Sequence, residues 1–283
     1  MRTKRTVIGL ISATLLFTAV LARAETAVES FAKGETLLTK GEVGAALQSY
    51  AAAARADRGN QEYMQHYAMV RRIVDLRSRL ETEQNPQRWE YTARALRAFY
   101  VSERVYSELL KVDQEIHSRL TSAESAVMLA ETQLAMDRNS DAARTLAALQ
   151  PSKATEMTQA LLGIALVRSG KTDQAKQIAE KLNLPNGSGS SIMYAAARLH
   201  AASGESAKAM GLLKACFEAT LPSQLEGFKS HAKDCPEFAA LVSNPAFARV
   251  METQSKMPES KCSGGSSCAG CPMSGKCPSQ GKQ

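Results

Sequence analysis

Aromatic side chains are scarce in this chain, with one Trp, seven Tyr and seven Phe among 283 residues. Runs of alternating β-branched and polar residues are equally hard to find. Together these absences exclude a sheet protein built on alternating inward and outward side chains. Only four histidines are present, His66, His117, His200 and His231, and they are scattered. No metalloprotease helix motif, phosphate-binding loop, dinucleotide glycine fingerprint or nucleophile-elbow serine occurs. The body of the chain is therefore expected not to be an enzyme.

Long apolar runs are also lacking, with one exception near the start. MRTKRTVIGLISATLLFTAVLARAE carries Arg2, Lys4 and Arg5, an apolar run from about Val7 to Leu21, then Ala22-Arg23-Ala24. This order of basic, apolar and small-x-small segments is that of a secretory signal, so residues 1–24 are expected to be cleaved. The run is shorter than the roughly 20 residues that a membrane span needs, so no stable membrane insertion is expected after cleavage. A periplasmic or secreted protein follows. Without residues 1–24 the formal charge falls from +7 to +3, because four cations leave with them. What remains mixes Arg71, Arg72, Arg77 and Arg79 with Asp75, Glu81 and Glu83. That is a solvated helical face, and it excludes the one-signed stripe expected of a nucleic-acid binder.

What is abundant is alanine, leucine, glutamate, arginine and lysine, which favour helix in nearly every window. An all-α chain is expected. Within it LLGIALVRSGKTDQAKQIAEKL (161–182) and AAARLHAASGESAKAMGLLKAC (195–216) align without a gap, 34 residues apart. A small residue followed at seven, twelve, sixteen and nineteen positions gives Gly163, Gly170, Ala175, Ala179 and Leu182. Its match is Ala197, Gly204, Ala209, Leu213 and Cys216. The same steps run from Ala130 to Asp137, Ala142, Leu146 and Leu149, and from Gly34 to Gly41, Ala46, Tyr50 and Ala53. From Ala93 they give Tyr100, Val105, Leu109 and Val112. Small residues let two helices cross closely, and glycine or aspartate between them permits the turn.

This rhythm resembles the tetratricopeptide repeat (TPR) family over roughly residues 27–216. The resemblance implies a right-handed superhelical solenoid of helical hairpins, closed by C-terminal capping helices, spanning residues 25–253. It also implies a concave groove for a partner protein or peptide. Groove residues would be Arg94, Arg97, Glu131, Gln159, Arg168 and Arg198, whose basic lean points to an acidic partner segment. An additional helix is expected at 61–85, either packed on the repeats or covering the groove. Asn244-Pro245 and Cys235-Pro236 mark the starts of terminal helices in which Phe238, Leu241 and Phe247 cover the open end.

Two cysteines lie in the body, Cys216 and Cys235, and they are either a disulfide tying cap to repeats or two buried thiols. Four more fill a tail at 254–283, expected to be disordered because Gly, Ser, Lys and Pro cannot build a core. Cys262, Cys268, Cys271 and Cys277 leave three chemistries open: two disulfides, a zinc or copper(I) site, or a redox-active Cys-x-x-Cys. The function expected is that of an exported binding scaffold. The alternative is a metal-delivery or thiol-redox protein whose tail is the active element.

Overall fold

A computed structural model describes residues 25–185 and 187–258. The expected signal segment and the four tail cysteines lie outside the described residues. Those described form thirteen α-helices and two short 3-10 helices, and no strand occurs among them. The chain is all-α. It divides into two compact units, one ending at Asp75 and the other beginning at Leu76.

The first unit holds α1 (Ala27–Thr39), α2 (Val43–Ala56) and the opening turns of α3 (Gln61–Thr82). Thr26 starts α1 with a capping box, its hydroxyl accepting from the Glu29 amide while the Glu29 carboxylate accepts from the Thr26 amide. α1 and α2 pair as a hairpin, and Gly34 is the point of closest approach. A Cβ there would lie 2.8 Å from the ring of Tyr50. The Tyr50 hydroxyl donates to Glu35, and the ring of Phe31 meets those of Tyr50, Tyr63 and His66.

The second unit continues with α4 (Pro86–Ser102), α5 (Tyr106–Leu120), α6 (Ala123–Ala135), α7 (Asn139–Ala147), α8 (Glu156–Arg168) and α9 (Thr172–Lys181). It ends with α10 (Ser190–Ala202), α11 (Ser206–Ala219), α12 (Pro222–Asp234), a 3-10 helix at Pro236–Leu241 and α13 (Pro245–Met251). Asn85 caps α4 ahead of Pro86, and Asn244 caps α13 ahead of Pro245. Both are signals the sequence displays.

Five turns are alike in detail. The residue two places beyond the first helix is left-handed, as Gly41, Arg104, Asp137, Gly170 and Gly204, with φ from 55° to 85°. The next amide bonds a carbonyl five residues back, for example Glu42 to Leu37, Val105 to Tyr100 and Lys171 to Leu166, at 2.8 to 2.9 Å. This is the Schellman closure, which satisfies carbonyls that the helix end leaves unpaired. In the second unit the left-handed residues fall 33, 33 and 34 positions apart.

That spacing corrects one register. The steps counted from Ala93 put the second turn at Tyr100, but Tyr100 is inside α4 and buried, and the turn comes at Arg104. Arginine carries no turn signal, so the count slipped by one helical turn. Counted from Arg104, the small position becomes Arg97 and its partner sixteen residues on becomes Asp113.

Helices pack in sequence order, α4 on α5 through α8 on α9, and the first helices of successive hairpins pack on one another as α6 on α8 and α8 on α10. At the C-terminal end, Phe238, Leu241 and Phe247 are buried with Leu213, Cys216 and Phe217.

Candidate functional site

α8 is apolar nearly all the way round, with Ala160, Leu161, Gly163, Ile164, Ala165 and Leu166 buried. A helix of this kind has neighbours on most sides. Here α6 and α10 flank it, and α7 and α9 lie against it. Gly163 makes the α10 contact possible, since a Cβ would come within 2.5 Å of a Leu199 methyl. The remaining stripe of α8 joins α6, α10 and α12 in lining a cavity of about 640 Å3.

Its floor is apolar, with Met157, Leu161, Tyr194, Ala195 and Phe228, and its walls carry Glu131, Ser191, Arg198, Gln224 and His231. These positions repeat. Met157 and Ser191 stand thirteen residues before their left-handed turn residues, Leu161 and Ala195 nine before, Glu131 and Arg198 six before. Matching register positions of three first helices, α6, α8 and α10, therefore line the cavity. A smaller cavity of about 260 Å3 adjoins it, sharing Glu131, Arg198 and His231 and adding Arg168, Asp234 and Cys235.

The polar wall rests on a buried carboxylate. Glu237 is only 3% exposed and accepts from Arg168 Nε at 2.6 Å and Arg198 Nε at 3.1 Å. Burial alone would raise its carboxyl, but the Arg198 charge and hydrogen bonds from Arg168 and the Cys235 thiol outweigh that and hold it at about 2. Arg168 also donates from Nη1 to the Leu134 carbonyl at 3.1 Å. The clasp thus joins α8, α10 and the terminal 3-10 helix.

Tyr194 and His231 close the cavity's other side, their Oη and Nδ1 2.6 Å apart. Burial raises the Tyr194 phenol, and burial, followed by the nearby Arg198, lowers the His231 imidazole. Both shifts favour the uncharged forms, a protonated phenol and a neutral imidazole, and the tautomer of His231 sets which of the two donates. Glu131 is exposed to solvent at its edge yet flanked by protein, and this desolvation raises its carboxyl despite Arg97 and Arg198 nearby.

Of the residues that the sequence nominated for a groove, the structure brings together Glu131, Arg198 and Arg168. Arg94 lies elsewhere, bridging Glu90 at 2.8 Å and Glu124 at 2.7 Å. Arg97 donates from Nε to Asp113 at 2.8 Å, and Asp113 also accepts from the Thr132 hydroxyl at 2.6 Å. Burial of Asp113 is complete and raises its carboxyl even against these two donors. Gln159 faces a different cavity, with α7 and α9. The basic lean read from the sequence is thus met inside the protein by carboxylates. Met157, Leu161, Tyr194, Phe228, His231 and Glu237 were not nominated. The signal that locates the first two is their register to the left-handed turn residue Gly170, whereas Glu237 sits 39 residues from Arg198 with no motif to link them.

Cys216 and Cys235 are both buried and are separate thiols rather than a disulfide. Cys235 Sγ donates to Glu237 Oε2 at 2.8 Å, and Cys216 Sγ lies 3.9 Å from Thr220 Oγ1. Burial pushes each thiol up to about 11. At neutral pH both are protonated and packed in the core. Among the described residues no group of three or more His, Cys, Asp or Glu is placed to hold a metal, and no helix is long and apolar enough to cross a membrane. Scans of protein families, of curated proteins and of solved structures each return no match.

Proposed function

We propose that this chain is an exported binding scaffold of TPR-type hairpins, and that the cavity on α6, α8, α10 and α12 receives a segment of a partner protein. The observation that carries this reading is the convergence of one register face from three successive first helices on an apolar floor. Repeat proteins stacked as a solenoid use that face for recognition. Because Arg168 and Arg198 already clasp Glu237, and Arg97 meets Asp113, selection rests on an apolar side chain over Met157 and Phe228 more than on acidic charge. Arg198, Gln224 and His231 supply hydrogen-bonding groups at the rim. Export rests on the signal-like segment at 1–24.

A photo-crosslinking residue in place of Gln224, in the chain expressed in its organism of origin, tests the reading. The expected result is a discrete adduct with one partner, lost when Phe228→Asp is added. An adduct that survives Phe228→Asp, or none at all, overturns it.

A further inference from the structure

A second cavity, of about 1010 Å3, lies on a different face, where α7 and α9 form two walls over α8. Its floor is three pairs of apolar residues: Ala143 and Ala147 on α7, Leu162 and Leu166 on α8, and Ile178 on α9 with Leu182 at that helix's C-cap. A spacing of four puts each of the first two pairs on a single helix face. α7 and α9 have nine and ten residues, against fourteen or fifteen in α2, α5 and α11. The trough runs along α8, whose thirteen residues give it a length of about 20 Å.

The rim is charged with one dominant sign. Arg144, Lys171 and Lys181 line it against a single carboxylate, Glu156. Arg144 is 77% exposed and reaches Asp141 at 3.1 Å, a carboxylate that Arg138 already holds at 2.6 Å. At one end the Ser169 hydroxyl oxygen is buried without a hydrogen-bond partner, and it too lines the trough. A buried hydroxyl left this way is costly unless something supplies a partner.

We infer that this trough is a docking surface for a short acidic amphipathic helix of another protein. Parallel apolar rows on α7, α8 and α9 form the ridges and grooves into which a further helix seats. The excess of cations on the rim selects glutamates or aspartates on the flanks of that helix. The surface is separate from the first-helix cavity, so the two stand or fall independently.

The test uses two synthetic fifteen-residue peptides with leucines at helical spacing, one bearing glutamate and the other lysine at the flanking positions. Each is titrated into the isotopically labelled purified chain and followed by NMR. The glutamate peptide is expected to bind, with shifts confined to α7, α8 and α9, and the lysine peptide to bind about tenfold more weakly or worse. Lys171→Glu with Lys181→Glu should reverse that preference while far-UV circular dichroism stays unchanged. If the glutamates disturb folding, Lys171→Gln with Lys181→Gln should abolish the preference instead. Equal binding of both peptides, shifts centred on Phe228 and His231, self-association of the chain at the trough, or no binding of the glutamate peptide overturns the inference.

Discussion

Arg97 and Asp113 occupy in the second hairpin the two positions that Ala130 and Leu146 hold in the third and Ala197 and Leu213 hold in the fifth. An ion pair has replaced a small-to-apolar contact at a helix crossing. Removing one partner strands the other, whereas removing all the polar groups together restores the pattern of the neighbours. Arg97→Ala alone is expected to cost about 3–5 kcal/mol. Arg97→Ala with Asp113→Leu and Thr132→Val is expected to match the parent or exceed it by about 1–4 kcal/mol. Urea unfolding measures both, and a triple variant weaker than the single one would refute the account.

Arg104 is the one turn residue of the five that is neither glycine nor aspartate, and its φ is 56°. A left-handed conformation costs a residue with a Cβ about 1–2 kcal/mol, and glycine almost nothing. Arg104→Gly should therefore raise the thermal midpoint, and Gly170→Ala, where φ is 78°, should lower it. Opposite shifts of the two midpoints are the observation required.

Glu237 ties acid stability to the clasp. Its carboxyl is depressed from an ordinary 4.5 to about 2, so its contribution is fully present above about pH 4.5 and lost as pH falls toward 2. A depression of that size is worth about 3 kcal/mol in the folded state. Glu237→Gln should be destabilised relative to the parent at pH 7, and the gap should narrow steadily below pH 4.5. A gap that stays constant down to pH 2 would mean the carboxylate's charge is not what stabilises the clasp.

Cys216 and Cys235 offer a direct probe of burial. With both thiols held up to about 11 and out of solvent, iodoacetamide at pH 8 should leave them unmodified in the folded chain and alkylate both in urea. Mass spectrometry of the tryptic peptides reads each site separately. Rapid modification of either in the native state would show the terminal helices opening locally.

Much of the helical framework was legible in the residues themselves, because capping, turn and burial signals are local. Asn244 announces a helix start, and Gly41, Gly170 and Gly204 announce turns, since only glycine enters the left-handed region without penalty. The 34-residue offset between 161–182 and 195–216 follows from the same local chemistry, and the additional helix appeared where its apolar spacing predicted, at Gln61–Thr82. The register of the second hairpin was not legible, because Arg104 takes a glycine's conformation and Arg97 with Asp113 takes an alanine's and a leucine's place. Nor was the charge of the cavity lined by α6, α8, α10 and α12. Arg168, Arg198 and Glu237 lie far apart along the chain, and their mutual neutralisation exists only once α8, α10 and the terminal 3-10 helix are packed together. Sequence determined which segments are helices and where most of them turn, through interactions spanning a few residues. Tertiary structure decided which arginines are neutralised within the fold, because pairing between distant side chains is a property of packing alone.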